Sequence, residues 1–168
     1  MEKVWEEDIE KTIRMVEPHE LKAAILLVNR VFNKFVAVDY KEEGQATFRE
    51  YLKYKEAEIS GDLASGHKKL WGCFLGERLA GVIASRDVSH IALFFVERDF
   101  QGLGLGRDLF DFFLCALPQE REEITVNSSP YAVKIYEKLG FYATDVEKEN
   151  NGIRYIPMRY EIKKPDIR

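Results

Sequence analysis

Between Gln101 and Arg107 the chain reads Gln-Gly-Leu-Gly-Leu-Gly-Arg, four residues after the apolar run Ile91–Val96 and before a helix-periodic apolar stretch. Glycine at every second position lets consecutive backbone N–H groups turn toward one ligand, and a helix starting there adds partial positive charge. The ligand such a turn suits is a phosphate or diphosphate. Three motifs answer that description. The dinucleotide fingerprint needs glycine where Arg107 stands, and a repeated β-α-β frame that is missing. The P-loop needs Gly-Lys-Ser/Thr, which does not occur. The third pattern, Gln/Arg-x-x-Gly-x-Gly/Ala, is met by Gln101, Gly104 and Gly106. A tight strand-to-helix connection is the plain alternative.

Other chemistry is poorly supplied. There is no Gly-x-Ser-x-Gly elbow, and neither Cys73 nor Cys115 sits in a nucleophile's context. His19 and His67 fall at helix-start and loop positions and are expected on the surface. The histidines and cysteines have no metal-ligand spacing, so no metal is expected.

The elements that must carry the turn follow from periodicity. Thr12–Val16 alternates as an edge strand. Pro18 and Glu20 open a helix with Leu21, Ile25, Val28, Phe32 and Phe35 on one face. Gly44 interrupts it, and a second helix is predicted from about Ala46 to Ile59, with Ser60–Lys69 as loop or a short helical turn. Leu70–Leu75 and Leu79–Arg86 form a hairpin around Gly76, and Arg86–Ser89 turns into a third strand, His90–Val96. By alternation His90 shares a strand face with Ala92 and Phe94. Gly104–Leu117 is helical, followed by Pro118. Ile124–Asn127 is a brief strand. Ser129-Pro130 starts a helix that ends at Leu139, with Gly140 as its left-handed cap. Phe141–Val146 and Ile153–Ile162 are strands around Asn151-Gly152, a hairpin signal. This order predicts an α/β (α+β) fold, a mixed, mostly antiparallel central sheet flanked by helices.

The 168 residues suit one domain over 1–168. A net charge of −4 argues against nucleic acid as a partner, because phosphate contacts need clustered Lys and Arg. The longest apolar runs are six residues, whereas a membrane span needs about 20. No membrane partner is expected. The start, Met1–Asp8, is acidic and lacks the features of a secretory signal, so a cytoplasmic protein with reduced thiols is expected.

A second stretch joins the glycine turn. Asn127, Ala132, Tyr136, Gly140 and Phe141 form a strand followed by a helix ending Tyr-x-x-x-Gly-Phe. In this order, with a helix between them, the two stretches resemble the signatures of the GNAT superfamily, the acetyl-CoA-dependent N-acetyltransferases. The resemblance covers roughly Leu70–Ile162; the first 69 residues match only in general plan.

The resemblance implies a GNAT-like fold and acetyl-CoA as co-substrate. The backbone of Gln101, Gly102, Leu103, Gly104, Leu105, Gly106 and Arg107 would hold its diphosphate. Its pantetheine arm would pair with the backbone of Phe94, Phe95 and Val96, splayed from the strand at Ile124–Asn127, and Asn127 would complete the hydrogen bonding. Tyr136 matches the family's tyrosine, the acid for the departing thiolate; a half-buried core aromatic is the alternative. His90 matches the position where some members carry a glutamate base. A histidine can do that work near neutral pH, or it can be a strand-end residue bonded to nearby backbone. The acceptor implied is a small-molecule or peptide primary amine, which attacks directly in a ternary complex. Phe32, Phe35, Tyr40, Phe48, Tyr51 and Tyr54, with Asp39, Glu42 and Glu43 among them, would wall its side and hold a cation. A non-catalytic acyl-CoA sensor, and transfer to oxygen or of a longer acyl chain, are the alternatives. A homodimer is left open.

Overall fold

The computed structural model describes residues 9–66 and 70–164. The acidic start Met1–Asp8 and His67 lie outside the described residues. Among the described residues eight strands and four α-helices follow in the order β1 (Lys11–Met15), α1 (Leu21–Val31), α2 (Glu42–Ala64), β2 (Leu70–Leu75), β3 (Arg78–Arg86), β4 (His90–Val96), α3 (Leu105–Ala116), β5 (Glu123–Ser128), α4 (Val133–Leu139), β6 (Tyr142–Ala143), β7 (Lys148–Asn150) and β8 (Ile153–Glu161). No described helix is long and apolar enough to cross a membrane.

The strands form one open sheet in the order β1-β2-β3-β4-β5-β8-β6, with β7 pairing β8 at the hairpin end. Every pairing is antiparallel except β4 with β5. On one face Leu105, Leu109, Phe110 and Phe113 of α3 pack with Ile83, Ile91, Ile124 and Met158 of the sheet. On the other, Leu21, Ile25 and Val28 of α1 and Leu52 and Ile59 of α2 pack with Val82, Ala84 and Leu93. The mixed α/β sheet flanked by helices is therefore as expected from the pattern.

Three elements differ from expectation. Helix α2 runs 23 residues, through Gly44 at its start and past Ile59 to Ala64. Leu63 packs on the α1-side core and holds the last turn helical. Phe141–Val146 keeps only Tyr142–Ala143 as strand. Phe141 is buried against Phe110, Tyr136 and Tyr160. At the other end the Asp145 carboxylate accepts from the Val146 N–H, so the chain leaves the ladder and returns as β7. The third difference lies in β4. Ala84 pairs with Leu93 and Ser85 with Ile91, which leaves Ala92 as an extra residue, a β-bulge. Alternation is broken there: Ile91 and Phe94 pack on the α3 side, Leu93 and Phe95 on the α1 side. His90 therefore faces the α1–α2 side, opposite to Phe94.

Candidate active site

The glycine turn begins where β4 ends. A single 3-10 turn, Arg98–Phe100, uses the Gln101 N–H in a bond to the Arg98 carbonyl at 3.3 Å. The Gln101 side chain donates to the Val96 carbonyl at 3.0 Å and fastens the turn to the strand. Gly102 and Gly104 then take left-handed φ values of 81° and 82°. From Gly102 to Arg107 no backbone N–H donates to a described backbone carbonyl, and the next, at Asp108, bonds to Gly104. Gly104 starts α3 without a side-chain cap. Nothing lies within 4 Å of where a Cβ would stand at Gly102 or Gly104. A Cβ at Gly106 would meet Phe94 at an ordinary 3.7 Å, so the glycine-or-alanine position of the pattern has room for either. The Arg107 guanidinium turns away and donates to the Lys138 carbonyl at 2.7 Å, so only its backbone joins the cradle.

Beside this cradle the sheet opens. Strands β4 and β5 register only at His90–Thr125 and Ile91–Val126. Beyond them the β5-side edge of Phe94, Phe95 and Val96 has no registered partner, while their other edge pairs with β3. A cavity of about 380 Å³ occupies the splay and is lined by His90, Phe94, Phe95, Asn127 and Tyr136. Five sequence-predicted residues thus meet around one space; Val96 and the glycine turn do not line it, and the turn approaches it only through the contact of Gly106 with Phe94.

Tyr136 enters from the α4 side. Its ring is buried, edge-on to Phe94 at 6.0 Å and to Phe141 at 5.2 Å. Burial pushes its phenol well above the ordinary range, so it stays protonated. Its hydroxyl bonds to no other described residue. Asn127 is exposed at the cavity rim. His90 enters from the opposite face, with Nδ1 2.8 Å from Thr125 Oγ1. Its partner is thus a side chain and not backbone. Burial first, then the Arg86 charge, hold its pKa down at about 4. The imidazole is therefore neutral near pH 7. His19 lies exposed in the 3-10 turn before α1.

Phe32, Tyr40, Phe48 and Tyr51 line the far wall of the cavity. Phe32 and Phe48 stack at 3.7 Å, and the Tyr40 hydroxyl donates to the Arg154 carbonyl at 2.8 Å. Phe35 instead stacks on Tyr131, and Tyr54 is exposed. Asp39, Glu42 and Glu43 do not line the cavity. Alternation and spacing missed two features of this wall. The first is Arg86, which stands opposite His90 in the ladder and lines the cavity. The second is the contact of Gly44 with Gly152, where a Cβ on either glycine would overlap the other's backbone. Thr47 adds a bond from its hydroxyl to the Asn151 carbonyl at 2.6 Å. The Asn-Gly pair marked a hairpin, but nothing local showed that α2 rests on it.

The sequence profile of the acetyltransferase (GNAT) domain matches residues 36–162. The chain belongs to the GNAT acetyltransferase family. Solved GNAT structures share its fold at low sequence identity. A GCN5-related N-acetyltransferase from Rhodopseudomonas palustris superimposes with a TM-score of 0.75 at 19% identity, over 92% of this chain and 98% of that one. The PaiA N-acetyltransferase of Thermoplasma acidophilum, solved with coenzyme A, gives 0.70 at 14% identity over 92% and 100%. The ribosomal-protein-S18-alanine N-acetyltransferase of Escherichia coli gives 0.60 at 18% over 95% and 99%. No curated protein matches the sequence. As a GNAT protein the chain is an acetyltransferase by family.

Proposed function

We propose that this GNAT acetyltransferase, a single domain over residues 1–168, transfers acetyl from acetyl-CoA to a primary amine by direct attack in a ternary complex. The observation that carries the reading is adjacency: the N–H groups of 102–107, bonded to no described backbone carbonyl, follow a strand whose Phe94–Val96 edge has no partner in β5, and Phe94 and Phe95 share one cavity with Tyr136 and His90. The donors suit a diphosphate and the strand edge suits an arm built of amides. Acetyl-CoA supplies an acyl group activated as a thioester.

This chain's own residues handle the protons. A lysine-type amine has a pKa near about 10.4 and must lose a proton before it attacks. His90 is the group to accept it: in the tautomer that donates Nδ1–H to Thr125 Oγ1, 2.8 Å away, the Nε2 lone pair is left for that proton. As the C–N bond forms and the C–S bond breaks, the Tyr136 phenol donates a proton to the departing sulfur. The two groups approach from opposite faces of the sheet through the splay, which keeps acid and base apart. Asn127 at the rim supports the arm.

A panel of amines incubated with acetyl-CoA, followed by thiol release and product mass, tests the reading. Amine-dependent thiol release with a mass gain of one acetyl group on nitrogen is expected. Coenzyme binding without release for any amine would make the protein an acyl-CoA sensor. Acetyl on oxygen, or turnover only with a longer acyl chain, would move the assignment to those chemistries.

A further inference from the structure

The acceptor wall carries an unused cation. Arg86 ends β3, directly across the ladder from His90, and lines the same cavity. Its one ion pair among the described residues is with Asp87 at 4.0 Å, the outer limit of such contact, and the Asp87 side chain is 88% exposed. The rest of the described lining is aromatic, aliphatic, small or amide-bearing; no carboxylate is among it. A second ammonium on the acceptor would meet Arg86 and find no counter-charge. The cofactor's diphosphate does not need this arginine. His90 and Val96 are the two ends of β4, six residues apart, which at strand rise separates Arg86 from the glycine cradle by roughly 20 Å.

We infer that the acceptor amine also carries a carboxylate, that Arg86 holds this group, and that the ring-lined wall of Phe32, Phe48 and Tyr51 takes an apolar side chain. This rests on the amine-transfer reading above and names its substrate class: an amino acid or a compound of that type. A guanidinium grips a carboxylate in bidentate fashion and fixes orientation as well as charge. Held beside His90, the carboxylate would aim the neighbouring amine at the base. Phenylalanine has the required groups, and phenethylamine is the same molecule without the carboxylate.

The test measures amine-dependent thiol release from acetyl-CoA for that pair, with the wild type, Arg86→Met and Arg86→Lys. One charge-assisted contact predicts kcat/KM about 10- to 100-fold higher for phenylalanine in the wild type. That ratio should fall toward one in Arg86→Met and take an intermediate value in Arg86→Lys. A wild-type ratio near one, or a ratio that survives in Arg86→Met, overturns the inference. Fluorescence titration with N-acetylphenylalanine and N-acetylphenethylamine provides a readout independent of turnover. If neither these two amines nor any of the wider panel reacts, yet the first ligand binds more tightly in an Arg86-dependent way, the carboxylate site stands and the amine-transfer reading falls. If amines react with no carboxylate preference, the reverse holds. If no amine of the panel reacts and neither ligand is preferred, both fall.

Discussion

Replacing Tyr136 with phenylalanine removes one oxygen and leaves the surrounding packing in place. The ring is 7% exposed and keeps its edge-on contacts with Phe94 and Phe141. Such pairs contribute about 0.5–1.5 kcal/mol each beyond area burial, and both persist in the variant. The hydroxyl bonds to no other described residue, so its loss orphans no partner. Stability should therefore change by no more than about 0.5 kcal/mol, a Tm shift of roughly 2 °C at this chain length. Turnover should respond quite differently. Proton transfer from a positioned acid contributes about 10²–10⁴ in rate, so kcat should fall about 100-fold, equivalent to roughly 2.7 kcal/mol of barrier. Because the phenol's pKa is raised by burial, it stays protonated across the usual assay range, and the deficit should be flat from pH 6 to 9. The measurement is thiol release against acetyl-CoA concentration, paired with a thermal melt and coenzyme titration. A kcat within about twofold of wild type refutes the acid. A loss of kcat matched by an equal loss of coenzyme affinity would make Tyr136 a binding residue instead.

Gly104→Asp places a carboxylate in the turn whose 102–107 N–H groups donate to no described backbone carbonyl, at a φ of 82° that aspartate tolerates better than most residues. Coenzyme affinity by calorimetry should fall about 100-fold or more, since charge-assisted bonds of roughly 1.5–3 kcal/mol each are replaced by repulsion. His90 makes stability pH-dependent. Its folded pKa of about 4 lies below the ordinary 6.5, so the unfolded chain binds the proton first as pH falls. This stabilising contribution is complete above pH 6.5 and is lost on descent toward 4. Melts over that window should therefore show a smaller decline for His90→Gln than for wild type. Gly44→Ala forces α2 off the Asn151-Gly152 turn, and the acceptor KM should rise about tenfold while coenzyme affinity holds. Gly61→Ala, on the same helix with nothing within 4 Å, should instead raise the melting temperature, by up to about 1 kcal/mol of stability.

Much of this site is visible in the linear chain because its geometry is local. Gly104 and Gly140 adopt left-handed backbone at the start of α3 and the end of α4, where punctuation of the hydrophobic period places them. Spacing along a strand and a helix likewise carries Phe94–Val96 and Tyr136 to one neighbourhood. The alternation rule then fails at Ala92. A bulge is a property of two strands in register, and β3 sets it from outside β4. Thus His90 faces the α1–α2 side and not, as strict alternation predicted, the face of Phe94.

Local information, then, locates the glycine turn and Tyr136: turn glycines, helix starts and periodic faces depend on residues within a few positions of one another. The acceptor side is another matter. Gly44 meets Gly152 across 108 positions of sequence, and Arg86 rather than Asp39 or Glu43 supplies the charge in the cavity. Residues close in sequence on α2 and its approach have no say in which strand end they will oppose. That outcome depends on how two helices and a hairpin close over the sheet, an arrangement set by the packing of the apolar faces on either side of it.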